Sequence, residues 1–186
     1  MTKGMRIIQR QGHSLDEEPI RYWENDRIGR GMRQWRREVP QIDSSGKAVV
    51  GRVLHLQEVI IDKVNRNLAR FGLKFPTYAI LATIRVSGPP YRMTPSELLA
   101  AIVISSGGLS NLLRKLEKDG LVQRSADKRD GRGVIVELTG KGIALTDESM
   151  AAHAALEREL IAALSPQDRE NMARMLSILI ATNSAG

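Results

Sequence analysis

Cysteine is absent from this chain of 186 residues, which removes disulfide frameworks, thiolate zinc sites and thiol redox switches from consideration. Histidine is scarce. His13, His55 and His153 stand far apart with no i, i+4 pair among them, so the ligand cluster of a metal site is missing and neither metal nor other cofactor is expected. No apolar run approaches the roughly 18 to 20 residues of a spanning helix, and the first residues lack the apolar core of a signal peptide. A cytoplasmic chain without a membrane partner is the expectation. Also missing are a nucleophile with its base and orienting group, and a phosphate-cradling glycine loop. Gly131-Arg132-Gly133 has too few glycines for that loop and falls in a hairpin, so no enzyme is expected.

What is present is basic and apolar. Apolar residues make up 42% of the chain, enough to core one domain or two small ones, and 28 Lys and Arg against 21 Asp and Glu give a formal charge of +7. Such a surplus selects a polyanion as the first partner to consider, because each cation set against a phosphate releases a condensed counterion.

The first eighteen residues mix Gly, Gln and charges without periodicity and read as a flexible tail. From Pro19 to Val39, Ile20, Trp23, Ile28, Met32 and Trp35 recur at helical spacing with arginines between them, weakened by Gly29 and Gly31 and ended by Pro40. A second helix is predicted from Ala48 to Phe71, burying one stripe of Val53, Leu56, Ile60, Val64 and Leu68, with Gly72 closing it. Thr77 to Val86 reads as a third, burying Tyr78, Leu81 and Ile84 before Ser87-Gly88-Pro89-Pro90 turns the chain.

The next stretch is chemically explicit. Thr94-Pro95-Ser96-Glu97 combines a capping hydroxyl, a proline at the first helical position and a glutamate three residues after the cap. A short helix through Leu98 to Ala100 follows and is interrupted at Ser105-Ser106-Gly107-Gly108. Leu109, Leu112, Leu113 and Leu116 then mark a further helix, stopped by Asp119-Gly120. Periodicity switches to alternation. Leu121 to Ser125 and Val134 to Leu138 are predicted strands joined by a charged loop, Ala126 to Gly133. Two helices close the chain, one from Thr139 to Leu164 and one starting at Ser165-Pro166 with Met172, Met175, Leu176, Leu179 and Ile180 on one face.

Two short helices with a tight turn, then a hairpin, are the parts of a winged helix-turn-helix, whose second helix enters the DNA major groove. The predicted fold is therefore mainly α with a small β-hairpin. Ser106, Gly107, Ser110, Asn111, Arg114, Lys115 and Lys118 share the flank opposite the leucines, with Thr94 at the start of the preceding helix. Hydroxyls, an amide and cations read base edges and grip phosphates. Taken alone, such a flank is a solvated helix face. The hairpin tip beside it carries Lys128, Arg129 and Arg132, a basic projection able to reach flanking phosphates or a minor groove.

These residues resemble the MarR (multiple antibiotic resistance regulator) transcription factors over about Ala48 to Leu164. Asp130-Gly131-Arg132-Gly133-Val134-Ile135-Val136-Glu137-Leu138-Thr139 fits that family's wing pattern D-x-R-x-x-x-V-x-L-T, and GPPYRMTPSELLAAIVISSGGLSNLLRKLEKDGLVQR is similar to its helix-turn-helix. The resemblance implies a homodimer of intertwined terminal helices, two wing-bearing lobes on a pseudopalindromic double-stranded operator, and Asp130 orienting Arg132. It also implies a small-molecule effector that lowers DNA affinity. The N-terminal extension is similar to urate-responsive members, whose tryptophan Trp35 matches. Their aspartate falls at Ala79 and their arginines at Val86 and Leu112, so an apolar or aromatic effector is expected instead, with Trp35, Arg52, His55, Phe75 and Tyr78 as candidate contacts.

The expected organisation is a tail over 1–18, N-terminal dimerisation helices over 19–71, a DNA-binding lobe over 72–138 and C-terminal dimerisation helices over 139–186. A repressor relieved by its effector is the expected function. A ligand-independent DNA-binding module or a protein-interaction module remains the alternative. A salt series separates them: specific duplex binding keeps its sequence preference as salt rises, with log affinity falling by about 0.9 per phosphate contact in log salt.

Overall fold

A computed structural model describes residues 25–126 and 133–184. The fold is mainly helical, with seven helices and one three-stranded antiparallel sheet among the described residues. It divides into two compact units, Met1–Gln57 and Glu58–Gly186, with the boundary inside a long helix. The predicted tail, Trp23 and the start of the first predicted helix lie outside the described residues.

In the first unit, helix α1 (Arg27–Glu38) starts at Asp26, whose carboxylate accepts the Gly29 amide at 2.7 Å. The helix runs through both glycines that the sequence marks as weak points. Gly29 is buried, Gly31 has open space around it, and Ile28 packs onto the bare backbone of Gly51. Helix α2 (Lys47–Ala69) continues from this unit into the second. Its predicted stripe is buried only at Val64 and Leu68, while Val53 and Leu56 are exposed. The periodicity is real, but among the described residues its first half is left exposed.

The second unit holds the core. Helix α3 (Phe75–Val86) begins two residues before its predicted start, because Phe75 donates its amide to Asn65 Oδ1 at 2.9 Å and the Thr77 hydroxyl accepts from the Lys74 amide at 3.1 Å. Ile80, Leu81 and Ile84 are fully buried, each contributing about 1.5–3 kcal/mol relative to exposure. Strand β1 (Arg92–Met93) is an element that the alternation pattern misses, since two residues carry no period. It pairs with β3 (Val134–Leu138), which pairs with β2 (Val122–Ala126), giving the order β1-β3-β2. The sheet thus has three strands where two were predicted. Val122 faces Leu138 and Ala126 faces Val134.

Between β1 and β2 lie α4 (Pro95–Ala101) and α5 (Ser106–Lys118). The capping box forms as the sequence predicts: Thr94 Oγ1 accepts from the Glu97 amide at 3.2 Å, and the Thr94 amide donates to Glu97 Oε2 at 2.7 Å. At the end of α5, Gly120 takes φ +70 and the Leu121 amide bonds back to the Leu116 carbonyl at 2.9 Å, satisfying an orphan acceptor. Two helices, a turn and a small sheet in this order make a winged helix-turn-helix.

Helix α6 (Gly140–Leu160) lies on this lobe through a stripe of mostly small residues, Gly142, Thr146, Ser149 and His153, all buried. Its start is tied to the end of α5. Thr139 caps it by accepting the Gly142 amide at 3.0 Å and donates its own hydroxyl to the Gly120 carbonyl at 2.7 Å, and its amide reaches the Leu121 carbonyl at 3.1 Å. Helix α7 (Pro166–Asn183), capped by Ser165 as predicted, has no buried residue. Met175, Ile178 and Ile180 are all more than half exposed on it.

Substituting Gly142 by alanine would set a methyl carbon 2.0 Å from the Leu121 carbonyl oxygen. Backbone must move, so Gly142→Ala is expected to lower unfolding free energy by roughly 1–3 kcal/mol, read as the urea midpoint at fixed protein concentration. Thr94→Ala should cost about 1 kcal/mol in the same titration through loss of the cap.

Candidate nucleic-acid interface

Helix α5 has two unlike sides. Leu109, Leu113 and Leu116 are sealed at 1%, 3% and 1% exposure, while Ser106, Gly107, Ser110, Asn111, Arg114, Lys115 and Lys118 are all exposed on the remaining arc. Ser105 caps the helix by accepting the Gly108 amide at 3.2 Å, which directs Ser106 and Gly107 into its first turn. Thr94 is half-buried, and its hydroxyl is committed to Glu97 rather than presented outward. The Asn111 carbonyl oxygen accepts from Arg114, and Lys115 Nζ lies 2.6 Å from Asp119. Such exposed intrahelical pairs are weak, so a stronger acceptor exchanges for them at small cost. Lys128, Arg129, Asp130 and Arg132 lie outside the described residues.

Two residues at this surface escaped the sequence reading. Arg124 on β2 donates through Nε to Glu117 on α5 at 2.8 Å, joining the strand to the helix. That bond holds the Glu117 carboxyl below its ordinary value, and the same partner raises Arg124. Strand alternation could have found it, since Arg124 falls on the face of buried Val122. Val103, in the turn before α5, is fully exposed. Between α4, α5 and the strands is a hollow of about 260 Å³, floored by Leu99, Leu109 and Leu113 and edged by Ser106, Ser110 and Arg124.

The other candidate residues fall into two groups. In the first unit, Trp35 is 39% exposed, carries Lys47 Nζ 4.1 Å above its ring, and lines a hollow of about 160 Å³ with Ile28 and Met32. Arg52 is engaged by Asp26 at 2.8 Å and by the Ala48 carbonyl at 2.6 Å, and His55 is half-buried. In the second unit, the Tyr78 ring lies 4.7 Å from that of His153 and Phe75 lies 6.4 Å from it, with His153 Nε2 3.2 Å from Glu157. Burial, with the Glu157 charge adding to it, pushes the Tyr78 hydroxyl up. Among the described residues no helix is long and apolar enough to cross a membrane, and no group of three acidic or imidazole side chains is placed to hold a metal.

Residues 71–133, which contain α5, match the model of the MarR family. The regulator MhqR of Bacillus subtilis is 30% identical over 63% of this chain and 79% of its own length. The chain belongs to the MarR family. Another relative, the transcriptional regulator PecS of Dickeya dadantii, is 28% identical over 78% of this chain and 87% of its own. Among solved structures, a mutant of MarR from E. coli complexed with operator DNA matches with a TM-score of 0.64, 23% identity, and coverage of 78% of this chain and 97% of that one. In this MarR-family chain the similarity supports a transcriptional regulator rather than an enzyme.

The Glu117 carboxyl is held low, so its contribution is complete above the ordinary glutamate range and is lost as pH falls through the depressed value. Glu117→Gln should therefore melt below the parent at neutral pH, and the gap should close in acid. A gap that persists in acid would show that packing, not charge, joins β2 to α5.

Proposed function

We propose that this chain is a cytoplasmic, homodimeric repressor that binds a pseudopalindromic duplex and is released from it by a small apolar or aromatic effector. The observation that carries the reading is the division of α5, leucines sealed inward and Ser106, Ser110, Asn111, Arg114, Lys115 and Lys118 outward. Inserted in a major groove, Ser110 and Asn111 read base edges while Arg114, Lys115 and Lys118 grip phosphates; Val103 offers an apolar surface to a thymine methyl. The wing cations Lys128, Arg129 and Arg132, the last oriented by Asp130, reach the neighbouring backbone or minor groove. The E. coli MarR mutant solved on operator DNA supports this mode.

Dimerisation is supported by two apolar surfaces that one chain leaves open. Val49, Val50, Val53 and Leu54 on α2 are exposed, as are Met175, Ile178 and Ile180 on α7. Burying them against a second copy is the ordinary solution for a twofold regulator. Trp35, Arg52 and His55 are proposed effector contacts within the first unit, and Phe75 and Tyr78 within the second, each set taken by itself. The guanidinium of Arg52 is already engaged, which leaves Trp35 and the aromatic cluster as the surfaces that favour an uncharged ligand. To act, that ligand must bind the released form more tightly than the DNA-bound form.

Electrophoretic mobility with DNA from upstream of the chain's own coding region tests the reading. Asn111→Ala or Ser110→Ala is expected to change base preference, each specific contact being worth about 1–3 kcal/mol. Arg132→Ala should weaken binding to cognate and random duplex alike and make the salt slope shallower by about 0.9. Unchanged affinity of Arg132→Ala for both duplexes would remove the wing from the interface.

A further inference from the structure

Helix α1 is a concentrated block of charge. It holds five arginines against one glutamate in twelve residues, a net +4 out of the +7 of the whole chain. All five, Arg27, Arg30, Arg33, Arg36 and Arg37, are exposed. At 3.6 residues per turn, Arg30, Arg33 and Arg37 share one side, and Ile28, Met32 and Trp35 share the opposite one.

Two residues of the apolar side are engaged by α2, with Trp35 still partly exposed. Ile28 sits against Gly51, where an added methyl carbon would lie 3.2 Å from its side chain, and the Trp35 ring is covered by Lys47 at 4.1 Å. Asp26 fastens the start of α1 to Arg52 on α2. An interfacial membrane helix must bury its apolar face among acyl chains, and this helix has turned that face to α2. What remains outward is a row of guanidinium groups spanning about 10 Å from Arg30 to Arg37. Arginine differs from lysine in presenting a planar fork that takes phosphate oxygens two at a time, and this helix contains no lysine.

We infer that the outward face of α1 is a second phosphate-binding surface, which grips the backbone of duplex DNA independently of α5 and the wing. The inference rests on the reading of the chain as a DNA-binding regulator and adds to it a sequence-blind contact from the N-terminal segment. Its contribution is to affinity and salt dependence, since phosphate contacts carry no base information.

The test uses the full chain, fluorescence anisotropy and a random-sequence duplex of about 40 base pairs, titrated over a salt series. Arg30→Gln, Arg33→Gln and Arg37→Gln combined should make the slope of log affinity against log salt shallower by about 2 to 3 per chain, while Arg→Lys at the same three positions should keep it nearly unchanged. Preference for the chain's own upstream DNA over random duplex should survive the glutamine triple. Loss of that preference only in Ser110→Ala or Asn111→Ala keeps the two readings separable, because the major-groove assignment can fail while α1 still sets the slope. Should the triple not fold by circular dichroism, Arg37→Gln alone, at a side chain 74% exposed, should remove about 0.9 from the slope. Equal slopes for parent and glutamine variants overturn the inference. So does a glutamine triple that loses binding to phosphatidylglycerol vesicles with its duplex slope intact.

Discussion

The close approach of Gly142 to the Leu121 carbonyl, together with the hydrogen bonds of Thr139, holds three elements at one point. There α5 ends, β3 ends and α6 begins. A side chain at 142 would separate them, since its first carbon would fall 2.0 Å from the Leu121 carbonyl oxygen. The polar stripe that follows, Thr146 and Ser149, satisfies its own hydroxyls on the α6 backbone, with Thr146 Oγ1 donating to the Gly142 carbonyl at 2.6 Å. Burial of these small groups therefore carries little desolvation cost, and along Thr146 and Ser149 nothing large projects from α6 toward the lobe.

With that base fixed, orientation of the reading surface depends on two further contacts. Glu117 and Arg124 join the last turn of α5 to the first wing strand, and Arg85 bridges α3 to α6 through Asp147 at 2.8 Å while lying 4.6 Å over the Tyr91 ring. The Asp147 hydrogen bond raises Arg85 above its ordinary value. A shift of α6 would be felt at Tyr91, whose carbonyl accepts the Leu138 amide at the sheet. Helix α6 and the sheet are thus connected through charged groups as well as through apolar packing.

Local chemistry made most of this fold legible. Caps at Thr94, Ser105, Thr139 and Ser165, and glycines at 72 and 120, announce helix ends because each solves a hydrogen-bonding problem within a few residues. The leucine spacing of α5 correctly separated the sealed side from the outward one. Contacts across the chain were not legible. Strand β1 owes its existence to β3, forty-odd residues later in the chain; Arg124 finds Glu117 only once the hairpin folds back; the first half of the α2 stripe is exposed among the described residues. Arg52, read as a ligand contact, meets Asp26, a residue with no sequence mark beyond its aptitude as a cap.

The Asp26 carboxylate serves two partners at once: Oδ1 accepts the Gly29 amide at 2.7 Å and an Arg52 terminal nitrogen at 3.2 Å, while Oδ2 accepts Arg52 Nε at 2.8 Å. Nucleation of the appendage and its attachment to α2 are thus a single event, so intermediates with α1 coiled but loose, or attached but uncoiled, each forfeit half of what the carboxylate supplies. Replacing that one side chain would loosen the cap and the attachment together, while the core of the second unit stays as it is.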